Sequence, residues 1–356
     1  MEFEAFIDQQ LEDAKACPRP VKVMAEITYG CNLRCLHCYN PTHEAKGELS
    51  REKLQSLFCE LAKAGTLWIS LTGGEVFTRP DACELIADAQ ALGMVVTVIT
   101  NATLVTEALA DKLAALRPYQ IEISLYGASA PTYEAVTRMP GSFERCVRGI
   151  ERLAVRNLSL LVKPVLMTTN FHERGAMMAL CEKWGVRTRV STEIHPRVDG
   201  DMSPLAVRLS PEQMFQVWRE VSGEKILAAE SSQESREASG CGGAGKLFDC
   251  LCGKSGASIT PYGQMNLCVS LPTPQFDLRQ ASIQAGWKTL VSLVAQTTPG
   301  PDYACGTCAL ASDCERGTMD SFLERGRLDA ECLPHFRERA ERRAEFLNQP
   351  KELTHG

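Results

Sequence analysis

Thr28-Tyr29-Gly30-Cys31-Asn32-Leu33-Arg34-Cys35-Leu36-His37-Cys38-Tyr39-Asn40 follows the apolar, strand-like run Val21 to Ile27 and spaces three cysteines as Cys-x-x-x-Cys-x-x-Cys. Three thiolates on one short loop can hold three irons of a 4Fe-4S cube and leave the fourth iron open. An electron carrier closes that iron with a fourth cysteine, whereas a catalytic cluster keeps it for a ligand. The loop therefore reads as a reactive cluster site. A zinc site with His37 or His43 as fourth ligand would use the same residue types, and buried unpaired thiols are a third reading.

The rest of the composition narrows the class. A chain of 356 residues exceeds the usual single-domain size, so a barrel with an appendage or two domains is expected. The net charge of −6 and the lack of a long Lys/Arg block argue against a nucleic-acid surface. The acidic start, Met1 to Asp8, lacks a basic-then-apolar signal, and no apolar run reaches bilayer length, so no membrane association and a cytoplasmic location are expected. Thiols stay reduced there, and the sixteen cysteines then point to metal rather than disulfides. Cys17, Cys59, Cys83, Cys146 and Cys181 are scattered singly, as small core or surface residues would be. The others fall into Cys31/35/38, Cys241/250/252/268 and Cys305/308/314/332.

From Val21 to about Val221, short β-branched runs alternate with helical patterns, the signal of repeated βα units around a parallel sheet. Strands are expected at Val21–Ile27, Leu67–Leu71, Met94–Thr100, Gln120–Leu125, Ser159–Met167 and Arg187–Glu193. Helices are expected near Arg51–Ala64, Asp81–Leu92, Thr106–Leu116, Ser142–Val155, Glu173–Trp184 and Pro211–Val221, with Ser50, Thr106 and Ser142 as helix starts. Six units suit a partial barrel or a doubly wound sheet equally. The expected organisation is an N-terminal extension (1–20), an α/β unit (21–221), a polar linker (222–240) and a small cysteine-rich domain (241–356) closed by a helix at Pro334–Leu347.

Leu71-Thr72-Gly73-Gly74-Glu75 follows the second strand. Paired glycines admit close approach to the backbone, and Glu75 offers a carboxylate to a ligand ammonium. Together with the cysteine loop after the first strand, this motif resembles the radical S-adenosylmethionine (SAM) enzymes. The resemblance implies a partial (β/α)6 barrel, TIM-like, with a SAM-binding 4Fe-4S cluster on Cys31, Cys35 and Cys38. It assigns Gly73, Gly74 and Glu75 to the SAM amino group and Ser124 and Arg138 to its carboxylate, with Asn101 lining the same cavity. Val76 stands where the family often has proline. Glu122, Tyr126, His195 and Arg197 are candidates for positioning substrate or moving a proton, each more readily read as a satisfied interior polar group.

Cys252, Gly263 and Cys268, then Cys305-x2-Cys308-x5-Cys314 and Cys332, resemble the SPASM extension, which carries auxiliary iron–sulfur clusters on peptide- and protein-modifying radical SAM enzymes. The resemblance implies one cluster on Cys305, Cys308, Cys314 and Cys332. A zinc ribbon is the alternative for these four. A second cluster would use Cys252 and Cys268, but Thr318 occupies the position of its usual closing cysteine. Cys250 or Cys241 could substitute, or an iron could be left open.

The function so implied is reductive cleavage of SAM to a 5′-deoxyadenosyl radical that abstracts hydrogen from substrate, with auxiliary 4Fe-4S clusters in electron transfer or substrate binding. A ribosomally synthesised peptide is the favoured substrate. Haem-precursor side-chain chemistry is the runner-up, sulfatase-type protein maturation another family role, and a non-catalytic iron–sulfur or zinc scaffold the reading from a different class. An external electron donor such as flavodoxin or ferredoxin is implied. Nothing before Val21 has the length of a leader-binding domain, so a peptide would dock directly or through a separate leader-binding protein.

Overall fold

The computed structural model describes residues 3–223, 247, 248, 250–301, 303–314 and 317–347. Six parallel strands form in chain order: β1 (Lys22–Thr28), β2 (Trp68–Gly73), β3 (Val95–Thr100), β4 (Gln120–Leu125), β5 (Leu160–Pro164) and β6 (Arg187–Thr188). Each pairs in parallel with the next. A doubly wound sheet reverses its strand order at a switch point; this sheet runs β6 to β1 without reversal, which settles the choice for the barrel-type winding.

Alternation along the strands separates two faces. Val23, Ala25, Ile27, Ile69, Leu71, Val96, Val98, Ile121, Ile123 and Val162 are fully buried. They share the side covered by α2 (Arg51–Lys63), α3 (Ala82–Ala91), α4 (Glu107–Leu116), α5 (Ala130–Thr137), α6 (Ser142–Ala154) and α7 (Arg174–Lys183). In α6 the buried residues Cys146, Gly149, Ile150 and Leu153 recur at helical spacing, so Cys146 is a core residue. The opposite face carries Lys22, Ser70, Thr97, Glu122, Ser124 and Lys163. It is the more polar of the two although Met24, Ile99 and Leu161 share it, and Glu122, Ser124 and Lys163 are half-buried.

Helix starts follow side-chain chemistry. Ser50 accepts the Lys53 N–H and Thr106 the Leu109 N–H, as expected of N-caps. Ser142 does not cap: Gly141 holds that position at φ 71°, and the buried Ser142 hydroxyl meets Thr137 Oγ1 at 2.7 Å. The sixth strand is shorter than its apolar run suggested, because it lies at a sheet edge; beyond Thr188 only Arg189 N to Val162 O and a bridge from Ser191 to Val165 continue it.

The cysteine-rich region does not stand wholly apart. β7 (Gly256–Ile259) pairs in parallel with the free edge of β1, and β8 (Gln264–Asn266) and β9 (Phe276–Asp277) extend it antiparallel into a nine-stranded sheet. Gly263 makes the β7–β8 turn at φ 79°, a conformation that side chains rarely adopt. α1 (Phe3–Ala16) and α9 (Ile283–Gln296) complete this compact unit, Met1–Arg208 with Leu251–Gln296, and Trp287 Nε1 donates to Pro18 O at 3.0 Å. The second unit takes Leu209–Cys250 and Thr297–Gly356. There α8 (Pro211–Trp218), opened by a Ser210/Gln213 capping box, packs Phe215 and Trp218 on Phe346 of α11 (Pro334–Leu347). α10 (Thr318–Arg325) belongs to the same unit. No helix among the described residues is long and apolar enough to cross a membrane.

Candidate active site

The cysteine loop leaves β1 under tight backbone control. Thr28 Oγ1 accepts the Gly30 N–H at 2.9 Å and donates to Glu48 Oε1 at 3.0 Å, and that oxygen accepts the Tyr29 N–H at 2.6 Å. The loop's middle fastens to the end of α5, where helix carbonyls lack helical partners: Arg34 N donates to Thr137 O and Leu36 N to Val136 O, both at 3.0 Å. Its far end receives Val198 N at Tyr39 O, 3.0 Å.

The glycine motif lies directly against this loop. Gly74 N donates to Thr28 O and Glu75 N to Gly30 O, both at 2.8 Å. A Cβ on Gly73, whose φ is 145°, would fall 1.9 Å from Thr28 O, and one on Gly74 2.5 Å from both Tyr29 O and Gly30 O. The glycines are thus required by the approach of two protein loops, whereas the sequence suggested the approach of a ligand. Glu75 differs from expectation in a related way. Its buried carboxylate accepts Thr100 Oγ1 and Asn101 N at 2.7 Å each and Phe77 N at 3.2 Å, so it ties the β2 loop to the end of β3. Burial holds its pKa above the ordinary carboxylate value despite these donors.

Asn101 also reaches the cysteine loop. Its Nδ2 donates to Asn32 Oδ1 at 3.1 Å, Asn32 Nδ2 donates to Thr103 Oγ1 at 2.7 Å, and Asn101 Oδ1 accepts the Thr103 N–H at 2.9 Å. Asn32 and Thr103 escaped the sequence reading because amides give no periodic signal. Ser124 is the penultimate residue of β4, on the same face as Glu122 and in register with Lys163, which pairs with Glu122 at 2.8 Å. Arg138 takes the left-handed C-cap of α5 at φ 54° and is exposed, one residue beyond the carbonyl that holds Arg34.

A further carboxylate stands under the loop. Glu26, buried in β1, accepts Tyr29 Oη at 3.0 Å and Tyr39 Oη at 2.7 Å, so phenols from both ends of the cysteine loop meet one side chain. Burial raises its pKa to about 7 against those two hydrogen bonds. The signal for Glu26 was present in the sequence, as a lone acid inside an apolar strand.

The three thiols act electrostatically on one another, and burial raises each: Cys31 to about 11, Cys35 well above its usual value, and Cys38 upward. Left alone they are neutral thiols; bound metal makes such groups thiolates. Among the described residues, no three His, Cys, Asp or Glu side chains converge as ligands of a single ion. Thiolates that each hold a different iron of a cube have no need to converge in that way. Buried polar atoms without partners gather here too: His37 Nδ1, Asn40 Oδ1, His43 Nε2 and Arg197 Nε. The donor set and these orphaned atoms fit an iron–sulfur cluster with a polar ligand. Burial against Tyr126, whose ring centroid is 4.9 Å away, lowers His37 to about 4, so it is neutral near pH 7.

The C-terminal cysteines divide between the compact units. Cys252 and Cys268 flank the β7–β8 hairpin, bridging Gly256 and Leu271. Cys250, Cys305, Cys308, Cys314 and Cys332 fall in the second unit, where Cys308 and Cys332 both act on Arg337. Cys241 lies outside the described residues. Thr318, where a cysteine was expected, is buried, and its hydroxyl donates to Leu247 O.

Residues 25–181 match the model of the radical SAM superfamily. The chain carries a radical SAM domain and is an enzyme. It is 28% identical to the mycofactocin maturase MftC of Mycobacterium tuberculosis, over 93% of this chain and 88% of the relative. It is 26% identical to the AdoMet-dependent heme synthase of Methanosarcina barkeri, over 82% and 88%. Among solved structures, Streptococcus suis SuiB bound to the precursor peptide SuiA superposes with a TM-score of 0.70 at 13% identity, over 93% of this chain and 79% of that one, a likeness of fold.

Proposed function

We propose that the enzyme modifies a ribosomally made peptide through radical chemistry begun at the Cys31/Cys35/Cys38 loop. The observation that carries this reading is the seating of that loop on Gly73-Gly74-Glu75 through two 2.8 Å backbone hydrogen bonds, in a chain similar to a mycofactocin maturase over 93% of its length. When bound, the cluster and SAM supply the one-electron chemistry that generates a hydrogen-abstracting radical.

The chain's own residues hold, orient and shield. Cys31, Cys35 and Cys38 are the ligands of three irons. Main-chain groups at Gly73, Gly74 and Glu75 take the SAM amino group, because the Glu75 carboxylate is committed to Thr100 and Asn101. Ser124 and Arg138 take the SAM carboxylate, and Asn101 lines the same cavity. The apolar face of the sheet and its helices keep water away from one side, and the polar face with Glu122, Ser124 and Lys163 meets the substrate. Cys305, Cys308, Cys314 and Cys332 form one auxiliary cluster site, and Cys252 and Cys268 contribute to another. Electrons come from an external donor such as a flavodoxin or ferredoxin, the peptide docks directly or through a separate leader-binding protein, and the reaction takes place in the cytoplasm.

Anaerobic incubation of reconstituted enzyme with SAM, reductant and each small peptide encoded beside it tests this reading by mass spectrometry. A SAM-dependent mass change in one peptide is expected. No change in any of them, with turnover of a haem precursor instead, would transfer the assignment to the chemistry named for the second relative.

A further inference from the structure

Arg197 sits beside the cysteine loop with a donor to spare. Its segment is pinned there by the 3.0 Å bond from Val198 N to Tyr39 O, next to Cys38. The side chain is 26% exposed, and its buried Nε makes no hydrogen bond; the nearest charge partner of that atom, Asp201 Oδ2, stands 3.5 Å from it as an ion pair. Arg34, the cation within the loop, is exposed and its guanidinium already donates to Cys31 O and Leu33 O at 2.7 and 2.8 Å. A buried donor without an acceptor is costly, and more so when charged. An anionic acceptor at Cys38 removes that cost.

We propose that Arg197 donates Nε–H into the sulfur shell of the cluster at its Cys38 corner and, by holding a positive charge there, makes the cluster easier to reduce. Cluster potentials are set by net charge and by hydrogen bonds to the sulfurs. Arg197 is thus a tuning residue, and the inference rests on the cysteine loop holding a cluster; it is independent of the substrate.

The test is anaerobic reconstitution of wild type, Arg197→Met, Arg197→Lys and Asp201→Asn. Iron and sulfide are assayed first, and the midpoint potential is then read by paramagnetic resonance without SAM. Arg197→Met is expected to shift the midpoint negative by the equivalent of a tenfold loss of reduced cluster at fixed potential, about 59 mV for one electron. Arg197→Lys should recover part of that shift. Asp201→Asn, which relieves the partial neutralisation of Arg197, should shift the midpoint the opposite way, a sign reversal that a merely structural role would not produce. An unchanged midpoint in iron-replete Arg197→Met overturns the proposal, and if SAM affinity falls tenfold in that variant the guanidinium belongs to SAM instead. Should Arg197→Met fail to load iron, an unchanged midpoint in Asp201→Asn overturns it. Wild-type protein that takes up no iron overturns the cluster reading itself.

Discussion

Glu75 Oε2 accepts the backbone N–H of Asn101 at 2.7 Å, which turns the acid of the glycine motif toward its own protein. The carboxylate spans the second and third strand loops, and Asn101 carries the connection on to Asn32 of the cysteine loop. Three loops at one end of the sheet are therefore preassembled by protein hydrogen bonds.

Glu75→Ala should destabilise the apoprotein. It leaves the Thr100 hydroxyl and the Asn101 and Phe77 N–H groups short of their acceptor in a buried setting, a loss of ~1–3 kcal/mol or more. Urea unfolding without iron or SAM measures it. A carboxylate serving only a ligand would leave apoprotein stability unchanged.

Gly74→Ala should displace the cysteine loop, because its Cβ meets two carbonyl oxygens at 2.5 Å. The expected result is at least a tenfold loss of reconstituted iron with the far-ultraviolet circular dichroism preserved. Gly175→Ala, in α7 with nothing within 4 Å of its Cβ, is the control and should gain up to about 1 kcal/mol. Equal iron loading in both variants would contradict the packing argument.

Glu26 should make stability depend on pH. Its folded pKa of about 7 lies above the ordinary 4.5, so the folded chain binds more protons than the unfolded chain between those values. Stability therefore falls as pH rises from about 4.5 to 7, by on the order of 3 kcal/mol for this group alone. Glu26→Gln removes that component, and the difference between variant and wild type in urea midpoints at pH 5 and pH 8 isolates it. A difference that does not change with pH would refute the assignment.

Tyr39→Phe should loosen the far end of the cysteine loop by removing the 2.7 Å bond to Glu26. A cost of about 1 kcal/mol and faster hydrogen exchange at residues 38–40 are expected. Exchange equal to wild type would show that the Val198 bond alone holds that end.

Much of this was legible in the sequence where the signal is local. The β4 strand at Gln120–Leu125 and the closing helix at Pro334–Leu347 sit where periodicity placed them. The cysteine loop follows β1 and the glycine motif ends β2, as expected. Non-local pairing was not legible. The short run Gly256–Ile259 gives no sign that it will add to the edge of β1, so Leu251–Gln296 joins the sheet although its composition groups it with the later cysteines. α5 was missed although Ser129 caps it and Pro131 lies in its first turn, because its neighbours read as loop. The partners of Glu75 and Glu26 come from separate loops, and a chemical motif names the residue without naming what it faces.

The most direct measurement is 5′-deoxyadenosine, quantified by liquid chromatography after anaerobic reconstitution, reduction and addition of SAM and the co-encoded peptides. The account predicts its formation by wild type and its loss in Cys35→Ala. Cluster-replete, SAM-bound wild type that forms none with any peptide present would contradict it.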